Sequence, residues 1–450
     1  MESLPLELFV EHGGAQKMIS FEKLYSNLKN GYYDDKLRIL YVQEDQEATG
    51  YGARERALYV AENFRKTFSP DQDTMAAIFS APGRTEIGGN HTDHQHGCVL
   101  CASVNLDILA CAAPNGTGVI RICSEGYPAL CVDISRLQPV PAEKNTSAAL
   151  VRGMVAAATE KGFAPAGFDA WMTSDVLFGS GLSSSAAYEV LIGNIINHLF
   201  CGDRLDAVTI AKMGQYAENV YFGKPCGLMD QMASSVGNIV TIDFMDPAVP
   251  VVRKIQCDFS GFGHALCIID TGSSHDDLTD DYADITREMR SVAAYFGQQV
   301  LRDVPEPAFC KAIPALRETC GDRATLRALH FFADNRRAVA EAEALDRGDF
   351  VEFLRLVNES GISSATDLQN TWSVSNPKQQ AIPVALAVGR QLLEGSGAIR
   401  VHGGGFAGTI QAFVPEERLA AFKKGMEELV GKDKCYVLCI RPMGGCVVTE

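Results

Sequence analysis

Val176-Leu-Phe-Gly179-Ser-Gly181-Leu182-Ser183-Ser184-Ser185-Ala186-Ala187-Tyr-Glu189 sets glycines and hydroxyls immediately before a helical pattern. Gly179 and Gly181 let the backbone turn tightly with its N–H groups exposed, and Ser183, Ser184 and Ser185 add hydroxyl donors and candidate magnesium ligands. Ala187, Leu191, Ile195 and Leu199 recur at helical spacing. A phosphate held at 179–186 would therefore meet the unpaired amides and the positive dipole end of a helix N-terminus. Taken alone, the stretch also suits an ordinary glycine loop with serine caps.

The surrounding chain sets bounds on the reading. Its 450 residues, 46% hydrophobic and 21% charged, suit a soluble protein of two or three domains and argue against disorder. No run of about eighteen apolar residues occurs, and Met1 to Val10 carries glutamates without a basic n-region. The sequence thus predicts neither a membrane span nor a signal peptide, and a cytoplasmic location. Fourteen cysteines, many within apolar runs, fit reduced core thiols better than a disulfide framework. Cys98 and Cys101 form a CxxC with no second pair, which is weak for zinc. A formal charge of -16 disfavours nucleic acid and anionic membranes as partners, so an anionic nucleotide needs a local positive pocket.

Along the chain, residues 1–70 carry amphipathic helical patterns at Phe21, Leu24, Tyr25 and Leu28 and again over 57–64, with no chemical motif. Strands are expected at 75–80, ending at Pro82-Gly83, and at 99–112, 119–123 and 238–244, with helices at 148–161, 184–199 and 206–222. The sequence places a first domain at 71–250. A second, at 251–450, mixes strands at 265–270, 409–414 and 435–440 with helices near 279–302, 324–346 and 378–394, an α+β arrangement.

Two further motifs carry chemistry. Ala81-Pro-Gly83-Arg84-Thr-Glu86-Ile-Gly-Gly89-Asn90-His91-Thr92-Asp93-His94-Gln-His96-Gly97 packs arginine, histidine and carboxylate into a glycine-rich segment that can surround a small polyol. Asp93 can accept two sugar hydroxyls, and Arg84 can neutralise developing negative charge. The same histidines with Asp93 could hold a metal, although their spacing matches no common zinc site, and a solvated polar loop is the plain alternative. Val401-His402-Gly-Gly-Gly-Phe-Ala-Gly408 invites an esterase reading, but no G-x-S-x-G elbow accompanies it. A Walker A lysine motif is also absent. A plain turn between two elements remains the simple account of that loop.

In this order the three motifs resemble those of the GHMP small-molecule kinases. The first resembles the galactokinase signature Gly-Arg-Val-Asn-Leu-Ile-Gly-Glu-His-Thr-Asp-Tyr, sharing Gly83, Arg84, Gly89, His91, Thr92 and Asp93. Gly181 to Ala187 match Gly-Leu-Ser-Ser-Ser-Ala-Ala throughout, and Pro225-Cys-Gly227-Leu-Met-Asp230-Gln231 looks like the segment bearing the catalytic aspartate. The resemblance implies a two-domain α+β fold, ribosomal S5 domain 2-like then ferredoxin-like, behind an N-terminal helical extension. It implies ATP-dependent, magnesium-dependent phosphorylation at C1 of galactose or a close relative, with Arg84 and Asp230 catalytic. Asn90, His91, Asp93, Gly227 and Tyr282 would bind sugar; Gly179, Gly181, Leu182, Ser183, Ser184, Ser185 and Ala186 would bind nucleotide; Ser185 and Glu218 would hold magnesium. Read as bare residues, Asp230 also suits a helix N-cap, Glu218 a surface salt bridge and Tyr282 core packing.

The match departs at Glu86, Asn90 and His94, where the signature has asparagine, glutamate and tyrosine. An amide at a position read as facing the sugar's exocyclic hydroxyl opens L-arabinose, galacturonate or N-acetylgalactosamine as alternatives. A non-catalytic sugar and nucleotide sensor and a homoserine or mevalonate kinase are the other readings. The extension can cap the first domain or mediate association, and the oligomeric state stays open.

Overall fold

A computed structural model describes residues 18–41, 52–176, 181–224, 226–272 and 278–449. Its first sheet is built from β1 (Ile19–Ser20), β2 (Met75–Gly88), β3 (Cys98–Pro114), β4 (Val119–Ser124), β5 (Leu130–Asp133), β6 (Phe168–Ser174), β7 (Ile239–Asp243) and β8 (Val251–Ile255). The order is β1-β2-β3-β6-β4-β5, and among the described residues only β4 and β6 pair in parallel. Along the edge away from β2, the long β3 serves two neighbours, with Cys98–Ala102 on β7 and Ile108–Pro114 on β6. A second sheet holds β9 (His264–Asp270), β10 (Ala398–Val401), β11 (Thr409–Pro415) and β12 (Cys435–Leu438) in the order β10-β11-β9-β12. The short β13 (Cys446–Val447) returns the chain end to β2.

Period-two alternation sends successive residues of the first sheet to opposite faces. Phe79, Leu100, Ile108 and Ala110 face the main core, where they meet α4 (Ser147–Glu160), α5 (Ser184–Ile196) and α6 (Ala207–Tyr216) through Met154, Leu191 and Ile210. Leu266, Ile268 and Phe413 of the second sheet close the same core. Helix α7 (Met229–Val236) packs on β7 through Met232 and Ala233. Further along the chain come the helices α8 (Thr279–Tyr295), α9 (Glu306–Thr319), α10 (Asp322–Asp346), α11 (Phe350–Ser363), α12 (Ala381–Leu393) and α13 (Glu416–Val430). The last two cover the outer face of the second sheet.

The opposite face of the first sheet belongs to the N-terminal helices Phe21–Lys29, Asp34–Tyr41 and Ala53–Phe68. Phe21, Leu24, Leu28 and Phe64 pack on Ile78, Leu109, Cys111 and Trp171, the side chains that alternate with those of the main core. A buried polar centre fastens this layer. Asp107 on β3 receives Arg56 and Tyr41 from the extension, Ser80 from β2 and Arg441 from the chain end. Burial works to raise the Asp107 carboxyl, but the two guanidiniums hold it below its ordinary value. The extension is therefore a cap on the sheet.

Two expectations shift. The strand expected to stop near Pro82-Gly83 continues to Gly88, with register shifts between Pro82 and Arg84 and between Glu86 and Gly88. Proline removes a ladder donor and the bulge re-aims Arg84, so the first motif is half strand and only from Gly89 a turn. The helix expected at 206–222 is α-helical to Tyr216 and then a π-turn over Ala217–Phe222. Leu24, with no exposed surface, tests the cap. Leu24→Ala is expected to cost about 2–5 kcal/mol, read as a lowered urea midpoint with unchanged slope.

Candidate active site

Arg84 and Asp230 lie 146 residues apart in the chain and meet side by side. Arg84 Nε and Nη2 donate to the two Asp230 carboxylate oxygens at 2.7 and 2.8 Å. The bulge in β2 aims the guanidinium, whose third nitrogen, Nη1, donates to the Gly181 carbonyl. The Arg84 backbone N–H donates to Leu182 O at 2.9 Å, so the first and second motifs are stitched together at this residue. Ser183 Oγ donates to Asp230 Oδ2 at 2.8 Å. Burial pushes the Asp230 carboxyl upward, but Arg84 and Ser183 outweigh it and hold the group below its ordinary value.

Asp230 occupies the first turn of α7, and the N-cap of that helix is Leu228. Its carboxylate is turned to Arg84 rather than to its own helix, so the N-cap account fails. On α5, Ser183 stands at the N-cap with φ of 57° and Ser184, Ser185 and Ala186 form the first turn. Gly181 has φ of 73°, a left-handed conformation that a side chain resists. Gly179 lies outside the described residues.

Glu218 is buried in the π-turn, an irregularity often found at functional positions. Its Oε2 accepts from Gln231 Nε2 at 2.9 Å, and Lys224 Nζ stands 3.5 Å from Oε1. Glu218 thus keeps an ion pair with the exposed Lys224, but its own carboxyl is buried rather than on the surface. Gln231 Nε2 also donates to Glu189 Oε2 at 2.9 Å, which joins a second buried carboxyl to the first. One oxygen each of Glu189 and Gln231 is buried without a partner. Oxygen donors of this kind fit a hard divalent cation.

Asp93 and Gly227 come together. A Cβ at Gly227 would overlap the Asp93 carboxylate, so glycine there is a condition of the close approach. His91, at φ of 58°, directs Nε2 to the Gly404 carbonyl at 2.9 Å, and burial lowers its pKa to about 3. The carbonyl can only accept, so Nε2 carries the proton and Nδ1 does not. Tyr282 donates its hydroxyl to the Gly405 carbonyl at 2.9 Å and stands edge-on to Phe406. Its ring and hydroxyl brace the third loop.

Asn90 corrects an expectation. The motif leads one to expect this residue to face the sugar, and it has no exposed surface. Its Nδ2 donates to Glu86 Oε1 and Gly403 O at 2.8 and 2.7 Å, and its Oδ1 accepts from Asn370 at 2.8 Å. The amide is spent inside the protein, tying the first motif to the third. Arg400 Nη2, 2.9 Å from Glu86 Oε1, completes this buried group.

Sequence reasoning passed over His402, Gln231 and Glu341. His402 was visible in the third motif and Gln231 adjoins Asp230, whereas Glu341, on the featureless face of α10, gave no signal. Glu341 is wholly buried with both carboxyl oxygens unpartnered, and it fills the space over Gly88, where a Cβ would overlap it. The signature quoted above has isoleucine at that position. Burial, with Asp334 adding to it, drives the Glu341 pKa well above 4.5 against the pull of Arg400 and Arg337. The folded state then keeps a proton that the unfolded chain gives up, so stability falls as pH rises above 4.5. Glu341→Gln is expected to remove that dependence, and its denaturant midpoint relative to the parent protein should rise between pH 4.5 and pH 8.

Two family models match the chain, the galactokinase galactose-binding signature over residues 62–114 and the GHMP kinases N terminal domain over 149–238. The galactokinase of Actinobacillus pleuropneumoniae is 31% identical over 375 residues, covering 81% of this chain and 93% of the relative. Among solved structures, Lactococcus lactis galactokinase complexed with galactose superposes with a TM-score of 0.72 at 24% identity, over 85% of this chain and 97% of that one. Methanococcus jannaschii mevalonate kinase follows the same fold, with a TM-score of 0.58 at 14% identity over 82% and 99% of the two chains. The described α+β architecture is thus the GHMP kinase fold. With its site built on the same motifs, the chain belongs to the galactokinase family of the GHMP kinases.

Proposed function

We propose that this chain transfers a phosphoryl group from ATP to the anomeric C1 hydroxyl of galactose or a close galactose-like sugar. The observation that carries the reading is the Arg84–Asp230 pair, set between the Asp93–Gly227 contact and the Gly181–Ser185 turn. Relatives at both the sequence and the structural level carry the name galactokinase.

On this reading the sugar lies over Asp93 and Gly227 with its C1 hydroxyl toward Asp230. The lowered pKa keeps Asp230 a carboxylate at neutral pH, so it accepts the hydroxyl hydrogen bond and takes the proton as the new bond from the C1 oxygen to the γ-phosphorus forms. The bond from that phosphorus to the bridging oxygen breaks, ADP leaving with the electron pair. Arg84, already hydrogen-bonded to the Gly181 turn, is placed to stabilise charge on the phosphoryl group in flight. Gly181, Leu182, Ser183, Ser184, Ser185 and Ala186 present amides and hydroxyls to the nucleotide phosphates. Ser185 and Glu218 are the residues that would hold magnesium, which when bound would supply neutralisation of phosphate charge. A kinase that draws on the ATP pool works in the cytoplasm, with the sugar and ATP as its partners. The same reading keeps residues 1–70 as extension and 71–250 and 251–450 as the two domains, with β8 and β13 tying the second back to the first sheet.

Because the Asn90 amide is consumed internally, discrimination at the sugar rests on Asp93 and its neighbours. A panel of galactose, 6-deoxygalactose, L-arabinose, galacturonate and N-acetylgalactosamine with ATP is expected to give turnover with galactose. Turnover confined to another sugar would replace the substrate assignment. Asp230→Asn retains the shape and the Ser183 contact, and should lower kcat by about 10²–10⁴ while nucleotide affinity stays within about threefold. Near-full activity in that variant would sink the assignment. Gly227→Ala should raise the galactose KM sharply, because the added methyl displaces Asp93.

A further inference from the structure

The third motif holds a buried imidazole that the roles above leave unused. His402 is 2% exposed and hydrogen-bonds to both β2 and β11. Its Nε2 accepts from the Glu86 backbone N–H at 3.2 Å and lies 3.1 Å from Thr85 Oγ1. A backbone amide can only donate, so Nε2 carries no proton and the hydrogen sits on Nδ1. Nδ1 then donates to Thr409 Oγ1 at 2.9 Å. Burial, reinforced by Arg84 and Arg400, holds the imidazole neutral, which matches this tautomer.

Gly181 rests directly on this pair. A Cβ at Gly181 would overlap Thr409 Oγ1 and approach His402 Nδ1 to 3.0 Å. The peptide seated there supplies the carbonyl that Arg84 Nη1 binds, followed by Leu182 O for the Arg84 N–H and Ser183 Oγ for Asp230. Thr85 and Glu86, on the other side of the ring, are the residues that follow Arg84 on β2. One imidazole therefore spaces the strand that carries the guanidinium from the turn that faces the phosphates.

We propose that His402 is a positioning residue for phosphoryl transfer, its Nδ1–H bond to Thr409 setting the height of the Gly181 turn and thereby the nucleotide seat against Arg84. The inference rests on reading 181–186 as the nucleotide loop. Three substitutions separate its parts. Asn places its amide nitrogen near the Nδ1 position and can restore the donor to Thr409; Gln reaches the Nε2 position instead; Leu supplies bulk alone.

Calorimetric titration of the full chain with the β,γ-imido analogue of ATP and magnesium reads the seat, and a separate titration with galactose reads the sugar side. His402→Leu and His402→Gln should weaken the analogue about tenfold, and His402→Asn should stay within about threefold of the parent protein. Galactose affinity should stay within about threefold in all three. In turnover the same two variants should lose kcat at least about tenfold, with Asn recovering it. Should His402→Leu fail to fold, the contrast between Asn and Gln decides. Equal analogue binding across the set, equal weakening across the set, or weakening by Asn alone would overturn the proposal. A parent protein that binds the analogue but phosphorylates no sugar would refute the kinase reading and leave this titration to decide His402. No analogue binding by the parent would refute both.

Discussion

The Arg84–Asp230 ion pair is the constraint around which the molecule is arranged. A guanidinium with little exposed surface needs a partner held in good geometry, because desolvation otherwise exceeds the attraction. Every donor of Arg84 named above is satisfied, and each partner comes from a different part of the chain: Asp230 from α7, Gly181 from the turn before α5. Holding those partners in register requires the bulge in β2, the left-handed Gly181 and the N-terminal placement of Asp230 on α7. The irregular backbone of the site is thus a consequence of satisfying one buried cation.

Much of this was legible before any coordinates. The glycine-serine turn, the helix behind it and the aspartate segment announce themselves through spacing, and the structure puts α5 and α7 at those segments. Long-range facts were not legible. Nothing in the residues around 84 and 230 says that they touch, and only the likeness to known kinases suggested it. Glu341 shows the same limit from the other side, since a lone glutamate on an amphipathic helix reads as solvated surface until Gly88 is seen beneath it. The position of Asn90 in its motif does not reveal the direction of its side chain. The side chain turns inward, where Glu86, Gly403 and Asn370 were invisible to local reading.

The exchange of residue types at 86 and 90 has a physical logic of its own. The signature places an amide first and a carboxylate four residues on, whereas this chain has Glu86 and Asn90. The amide donates to the carboxylate at 2.8 Å, so the pair remains a donor and an acceptor. What moves is the charge. The carboxylate now sits on β2 beside Arg400 of β10, and the charge-assisted bond joins the two sheets directly. The His402 contacts to Thr85 and Glu86 lie on the same strand, so the first and second sheets are fastened beside the site by both a buried ion pair and a neutral imidazole.

An acidic chain that handles polyphosphates must concentrate positive potential where it is needed. The formal charge is -16, yet Arg84 and Arg400 are buried close to the site and Lys224 lies 3.5 Å from Glu218. Arg400 faces Glu86 at 2.9 Å, where burial pushes the Glu86 carboxyl up to about 7 against the pull of that guanidinium, and Arg84 is drawn toward Asp230. The α5 N-terminus adds positive field at this corner, where its N-cap Ser183 donates to Asp230 at 2.8 Å, and a hydroxyl-rich turn seated on a helix end thereby favours an anion without a cluster of surface lysines. The same reasoning explains why the seat under Gly181 is made of neutral groups. A charged histidine beside Arg84 would add repulsion to an already cationic corner, whereas a buried neutral ring sets distance without adding charge.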